Sequence, residues 1–300
     1  MIKAGDDLLR FSGHDTFHCK EQWLLKGIQL SDKQTSKDIF KHNEAIPILG
    51  VGKNMVRSIN HWLKAFGLID RENKTSEFAD LLFLVNKFDL FLENDGSLWL
   101  LQYYLCKTNY SSIFQLIFSS YFSDKATLEF SEYQIISFIN RQLSKNSQKA
   151  VAEKTLNSDF KVFVRTYVLP FKNEKTVEDD FSAPLLGLNL VSDTGRKNSA
   201  NQAVYRINRD LQESISAEVF GYCLLEEFRV ENSVSFEKIK KRLGSYLCLS
   251  NEGLELLIDN LCHLYKEFVF KNDAGVKQVQ FKNNTTEFKI NLLKTHYEVQ

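Results

Sequence analysis

Proline and glycine are scarce in this 300-residue chain, three and 13 residues respectively, too few for the turns of an all-β protein. Cysteine is nearly as rare. Cys19, Cys106, Cys223, Cys248 and Cys262 are odd in number and lack CxxC spacing, which argues against a disulfide framework and against a cysteine-only zinc site. They read as the reduced thiols of a cytosolic protein. No apolar run nears the roughly 20 residues that span a bilayer, and the opening segment lacks the basic and apolar regions of a secretory signal. The expectation is a cytoplasmic protein without a membrane partner. Net charge is missing too: 38 basic side chains balance 38 acidic ones, so no global field draws the molecule to nucleic acid.

What is present is apolar and aromatic. Hydrophobic residues make up 43% of the chain and include 24 Phe, enough for a substantial core and too much for a disordered segment. Length suggests about two or three domains. The pattern predicts a mainly α, multi-domain fold with winged helix-turn-helix units and short β-hairpin wings. Its expected parts are residues 1–85, an N-terminal winged helix-turn-helix; residues 86–175, a middle helical domain; and residues 176–300, an α+β winged-helix-like domain.

Ser31 or Asp32 is placed to cap a helix running to Lys41, and Asn43 to cap a short one ending at Leu49. Gly50-Val51-Gly52 then makes a turn. Val56, Ile59, Trp62, Leu63 and Phe66 recur at steps of three and four, one apolar stripe of a helix from Gly52 to Phe66, which Gly67 stops. Lys53, Asn54, Arg57, Asn60, His61 and Lys64 fall on the opposite face. Leu68-Ile69 and the polar Asp70–Ser76 read as a strand and wing loop before a helix from Glu77. Short helix, glycine turn, amphipathic basic helix and hairpin is the order of a winged helix-turn-helix, whose second helix enters the major groove. A helical hairpin with a merely solvated charged face is the competing reading.

Two windows contain bases and no acid: Leu49–Gly67, with Lys53, Arg57 and Lys64, and Gly195–Arg209, with Arg196, Lys197, Arg206 and Arg209. Double-stranded DNA is therefore the expected partner, contacted by Lys53, Asn54, Arg57, His61, Lys64, Arg196, Lys197 and Arg206. Farther along, helices are expected over Ser111–Phe122, Ser131–Leu143, Thr155–Val168, Arg206–Phe228, Ser235–Leu243 and Asn251–Phe268. Phe171–Asp180 reads as a charged linker and Ser192–Ser199 as a basic loop. Phe268–Lys271 and Gln278–Phe281 are expected to pair around Asp273-Ala274-Gly275.

The densest group of chemically capable side chains is Phe11-Ser12-Gly13-His14-Asp15-Thr16-Phe17-His18-Cys19-Lys20. A phosphodiester-cleaving site is one reading: Asp15 holds a divalent cation, Mg or Mn, His14 or His18 activates water, and Lys20 neutralises the phosphate. The other reading is structural. In it His14 bonds backbone groups, Asp15 caps a helix over Thr16–Lys26, and Phe17, Trp23 and Leu24 pack. A zinc-protease pattern lacks its third ligand, and Cys19 reads as a small hydrophobe.

The strings Phe11–Cys19 with Trp23-Leu24-Leu25-Lys26-Gly27, and Leu49–Ile59 with Trp62–Ile69, resemble the bacterial family known as domain of unknown function 4007. The resemblance implies a role in DNA phosphorothioation defence, beside cysteine desulfurases and ATP-pyrophosphatase-like sulfurtransferases. The B component of the Ssp system, regarded as a DNA nickase that opens a strand for sulfur insertion, is similar. The resulting expectation is a homodimeric DNA-binding protein that nicks one strand, or a non-catalytic subunit or transcription regulator that positions partner enzymes. The resemblance supplies no catalytic residues; His14, Asp15, His18 and Lys20 are chosen for their chemistry.

Overall fold

The computed structural model describes residues 8–33, 39–41, 43–123, 125, 127–169, 182–273 and 275–298. It is mainly helical, with small antiparallel sheets. Two compact units form: Met1–Glu93 with Tyr104–Asn208, and Asn94–Tyr103 with Arg209–Gln300.

The first unit opens with a loop that leads into α1 (Glu21–Lys33), then α2 (Ala45–Leu49) and α3 (Lys53–Ala65). Gly50 closes α2 in the left-handed region, φ 67°, where the absent Cβ removes the steric cost, and its N–H returns to Ile46 O. After α3, Ile69 and Thr75 pair antiparallel across a short turn. Ser76 then caps α4 (Glu77–Ala79), which continues as a wide π turn over Asp80–Leu84. The helix α5 (Asp95–Thr108) belongs to the second unit up to Tyr103 and to the first from Tyr104; α6 (Ser112–Gln115), α7 (Glu132–Lys145) and α8 (Glu153–Tyr167) follow in the first. Strands β1 (Glu129–Phe130), β2 (Val191–Lys197) and β3 (Ala203–Ile207) form a sheet in the order β1-β3-β2.

Aromatic side chains hold this unit together. Phe114 and Phe118 each meet Phe163 and Tyr167 of α8 at centroid separations of 5.3 to 6.1 Å, while Trp62 of α3 stacks on Phe66 and meets Phe114 edge-on. Each such pair adds roughly 0.5–1.5 kcal/mol beyond the area it buries. The core thus seats the inner face of α3 against the aromatic cluster.

In the second unit α9 (Ala217–Glu227), β4 (Ser233–Ser235), α10 (Phe236–Ile239), α11 (Asn251–Leu264), β5 (Phe268–Asp273), β6 (Val276–Phe281) and α12 (Thr286–Glu298) follow in order. The sheet runs β4-β6-β5, and the expected hairpin is present, with Phe268 opposite Phe281 and Lys271 opposite Gln278.

Three expected helices differ. Thr16–Lys26 does not begin at Asp15: Ser12, Gly13, Asp15 and Thr16 all have positive φ, between 45° and 96°, which no right-handed helix tolerates, so α1 starts at Glu21. Ser31 and Asp32 lie in the last turns of α1 rather than capping a new helix, and residues 34–38 fall outside the described set. Arg206 belongs to β3 and alternates with buried Ile207; the helix expected from there starts at Ala217, where the Ser216 hydroxyl accepts from Val219 N–H. Arg196 and Lys197 are likewise in β2, not a loop. The linker at 171–180 lies outside the described residues.

Candidate nucleic-acid interface

The loop of the His-rich motif is held by a buried pair. His14 Nε2 lies 3.0 Å from Asp159 Oδ1, with 3% and 0% of the side chains exposed. Both Asp159 oxygens also accept the Ser12 N–H at 3.0 Å, so the buried carboxylate is satisfied from two sides. The Thr16 N–H donates to His14 Nδ1 at 3.1 Å, which assigns the ring proton to Nε2 and makes Nε2 the donor to Asp159. Both ring nitrogens are thereby engaged. Asp159 sits 145 residues away on α8, among buried residues that are apolar apart from Thr166.

This lock forces the adjoining Asp15 into its left-handed conformation and aims its carboxylate at α3. Arg57 Nε donates to Asp15 Oδ2 at 2.7 Å, and Arg57 Nη2 donates to Asn54 Oδ1 at 2.9 Å. The guanidinium, about half exposed at 55%, is therefore fixed on one edge and open on the other. Lys53 and Asn54 are exposed beside it at the N-terminal end of α3. Asn60 Nδ2 donates to Asn73 Oδ1 at 2.9 Å and ties the Ile69–Thr75 hairpin to the helix.

Two other predicted residues face inward. His61 is buried, edge-on to His14 at 5.6 Å and packed on Trp62 and Tyr110, so the outward position expected from helical spacing does not hold. Burial first, then the neighbouring His14 and Lys64, lowers its pKa to about 3, and it stays neutral. His18 is also buried, and Lys20 places its ammonium 5.8 Å over the Trp23 ring. Cys19 is buried, and burial pushes its thiol well above the ordinary range, consistent with a packing role.

Arg196, Lys197 and Arg206 are exposed on the β2–β3 ribbon. The window is free of acids in sequence but not in space, because β1 brings Glu129 opposite Arg206 and into an ion pair with Arg196.

For a divalent cation the residues at Asp15 do not fit. That carboxylate is bound by Arg57, and among the described residues no group of three His, Cys, Asp or Glu side chains is placed to hold a metal ion. Sequence reasoning missed Asp159, for which no local signal exists, and Arg10, Lys41 and Arg71, which border α3 in hollows beside it.

Two solved structures share this fold. They are an SspB crystal structure, with a TM-score of 0.79, and a magnesium ion-bound SspB crystal structure, with a TM-score of 0.81. Each is 20% identical to this chain over 96% of it and 88% of the other. No curated protein matches the chain. The family described as protein of unknown function, DUF4007, matches residues 11–297, from the loop that carries His14 through the last helix, and the protein belongs to that family.

Proposed function

We propose that this protein is a DNA-binding subunit of a bacterial DNA-phosphorothioation defence system, reading duplex DNA with a winged helix-turn-helix built from α1, α2, α3 and the Ile69–Thr75 hairpin. The observation that carries the reading is the outer edge of α3. Lys53, Asn54 and Arg57 stand exposed there without an acid in the helix, and Arg57 is held in place by Asp15 and Asn54. A guanidinium fixed on one edge has its remaining N–H groups directed outward, the arrangement that reads guanine bidentately. The glycine turn before α3 and the tethered hairpin after it support the same assignment. Membership of DUF4007 and likeness to SspB support the phosphorothioation context, with a cysteine desulfurase and an ATP-pyrophosphatase-like sulfurtransferase as partner enzymes and a homodimer as the binding form. A cytoplasmic location follows from such a role, and no helix of the described residues is long and apolar enough to cross a membrane.

Fluorescence anisotropy with a selected duplex tests it. Arg57→Ala is expected to cost about 1–3 kcal/mol on the preferred site and to relax preference at one base pair. Unchanged affinity and preference would remove α3 from the interface.

Strand nicking is a second reading, favoured by the magnesium ion in one SspB structure. Supercoiled plasmid with Mg or Mn ions separates it from binding alone: no open-circular product in any metal rejects nicking, and product retained in His14→Ala with Asp15→Ala removes this loop from the chemistry.

A further inference from the structure

Between α3 and the Ile69–Thr75 hairpin lies a cleft of about 260 Å³, lined by Arg10, Lys64, Asp70, Arg71, Asn109 and Tyr110 among others. A second hollow of about 360 Å³ shares Lys64 and Arg71 and adds Lys41 and Arg57. Five cations thus border these hollows against two carboxylates in the lining, Asp70 and Glu72, and a third, Asp15, that is bound to Arg57. Asp70 is already committed to the turn, its Oδ1 accepting the N–H groups of Glu72 at 2.8 Å and Lys74 at 2.9 Å.

Positive charge is therefore in excess here. Arg10 lies over the Tyr110 ring at 5.3 Å, and among the described residues no carboxylate pairs with it. Lys64 is half-buried, and its pKa is lowered chiefly by that burial, with Asp70 offsetting and Lys41 and Arg10 pushing it further down. Asn109 lines the same cleft with a buried amide oxygen that has no hydrogen-bond partner; turned over, its NH₂ occupies that place as a donor. A set of donors with this excess of charge suits an anion. The first cleft is smaller than the roughly 300–1,000 Å³ of sites for organic ligands, but it has room for a phosphate group.

We propose that the cleft is a phosphate site, in which Arg10, Lys64 and Arg71 take one phosphodiester of the DNA backbone beside the helix that reads the bases. This deepens the DNA-binding reading and rests on it. Two guanidinium forks and an ammonium suit the oxygens of one phosphate, and such a contact positions the duplex without carrying sequence information.

The test uses the full chain and an Arg10→Gln, Arg71→Gln double variant, checked for folding by thermal melting, with Lys145→Gln, exposed in the last turn of α7, as a control outside the proposed DNA surface. Binding is measured across a salt series on preferred and scrambled duplexes, and on duplexes with single methylphosphonate linkages. The double variant is expected to weaken binding equally on both sequences and, since one phosphate contact is lost, to make the log–log salt slope shallower by about 1. One methylphosphonate position that weakens wild type is expected to leave the double variant unaffected. If wild type binds DNA while the double variant keeps its slope and affinity, the phosphate site is overturned and the DNA reading stands. If wild type ignores duplex DNA but inorganic pyrophosphate shifts the NMR signals of Asn109 and Tyr110, and the double variant abolishes this, the phosphate chemistry stands with a free phosphate as its source, and the DNA reading falls. No response to either probe overturns both. Should the double variant unfold, the methylphosphonate scan on wild type decides, since indifference at every position rejects the site.

Discussion

His14 and Asp15 are adjacent, yet the structure gives them different surroundings. His14 is turned inward with both ring nitrogens used, whereas Asp15 faces the solvent edge of α3 and holds Arg57. Replacing Asp15 by Ala removes a negative charge from the surface proposed to face DNA and frees the guanidinium. The expected result is discrimination between preferred and scrambled duplexes that falls, while affinity for the scrambled duplex holds or rises. A catalytic Asp15 would instead leave binding of both unchanged and abolish nicking, so anisotropy and a plasmid assay on one variant separate the roles. His61 gives a pH dependence. Its folded pKa of about 3 lies below the ordinary 6.5, so below about pH 6.5 the unfolded chain binds a proton that the folded chain refuses. Its contribution is complete above that pH and is lost as the pH falls toward 3, at up to about 1.4 kcal/mol per pH unit. Urea denaturation of wild type and His61→Gln at pH 7, 6, 5 and 4 should show their stability difference shrinking steadily. Parallel curves would show that the ring does not remain neutral.

Elements with a strong local period were legible; those shaped by distant contacts were not. The stripe Val56, Ile59, Trp62, Leu63 and Phe66 marked α3, and Phe160, Phe163, Val164 and Tyr167 marked α8; these side chains are buried as their spacing implies except Val164, which is half-buried. The pairing of β5 with β6 was readable for the same reason. By contrast, the loop before α1 owes its left-handed residues to Asp159 on α8, and nothing near Ser12 or His14 in sequence announces that partner. The window Gly195–Arg209 looked unopposed because Glu129 arrives from 67 residues away. His61 was placed outside by helical spacing alone, yet the loop folds over that face and buries it. Gly13 is where loop and helix meet: its φ is 96°, and a Cβ there would lie 2.7 Å from His61 Nδ1. Gly13→Ala is expected to destabilise the protein by about 1–3 kcal/mol, read as a lower Tm by calorimetry. An unchanged Tm would mean that the loop is free to move away from α3. Chemistry also separates helices of similar shape. α11 precedes a hairpin as α3 does, but it presents Glu252, Glu255 and Asp259, a set suited to protein contacts rather than phosphates.

With 38 charges of each sign, the whole molecule has little field to attract a polyanion, and the proposed affinity for DNA must come from local groups. About three to six phosphates neutralised per subunit correspond to a slope of log affinity against log salt of roughly −3 to −5, and to weak nonspecific binding at physiological ionic strength. Such a protein stays on its site by multiplying contacts, through a homodimer on two half-sites or through the other members of its complex. The two basic groups are not equivalent in this respect. Around Lys53, Arg57 and Lys64 the cations outnumber the acids, and only the edge of Arg57 is engaged by Asp15. On the β2–β3 ribbon Arg196 is already paired with Glu129, so a phosphate must displace that carboxylate, and the net gain is smaller. Neutralising Lys53, Arg57 and Lys64 together should therefore flatten the slope by about 2 to 3, and neutralising Arg196, Lys197 and Arg206 by about 1 to 2. Anisotropy on a short duplex across a salt series, for wild type and both triple variants, measures this directly. A slope untouched by the second triple would confine DNA contact to α3 and the hairpin, leaving the β2–β3 ribbon for another partner. If the first triple left it untouched as well, the zero net charge of the chain would have to be read as that of a protein that does not hold DNA by itself.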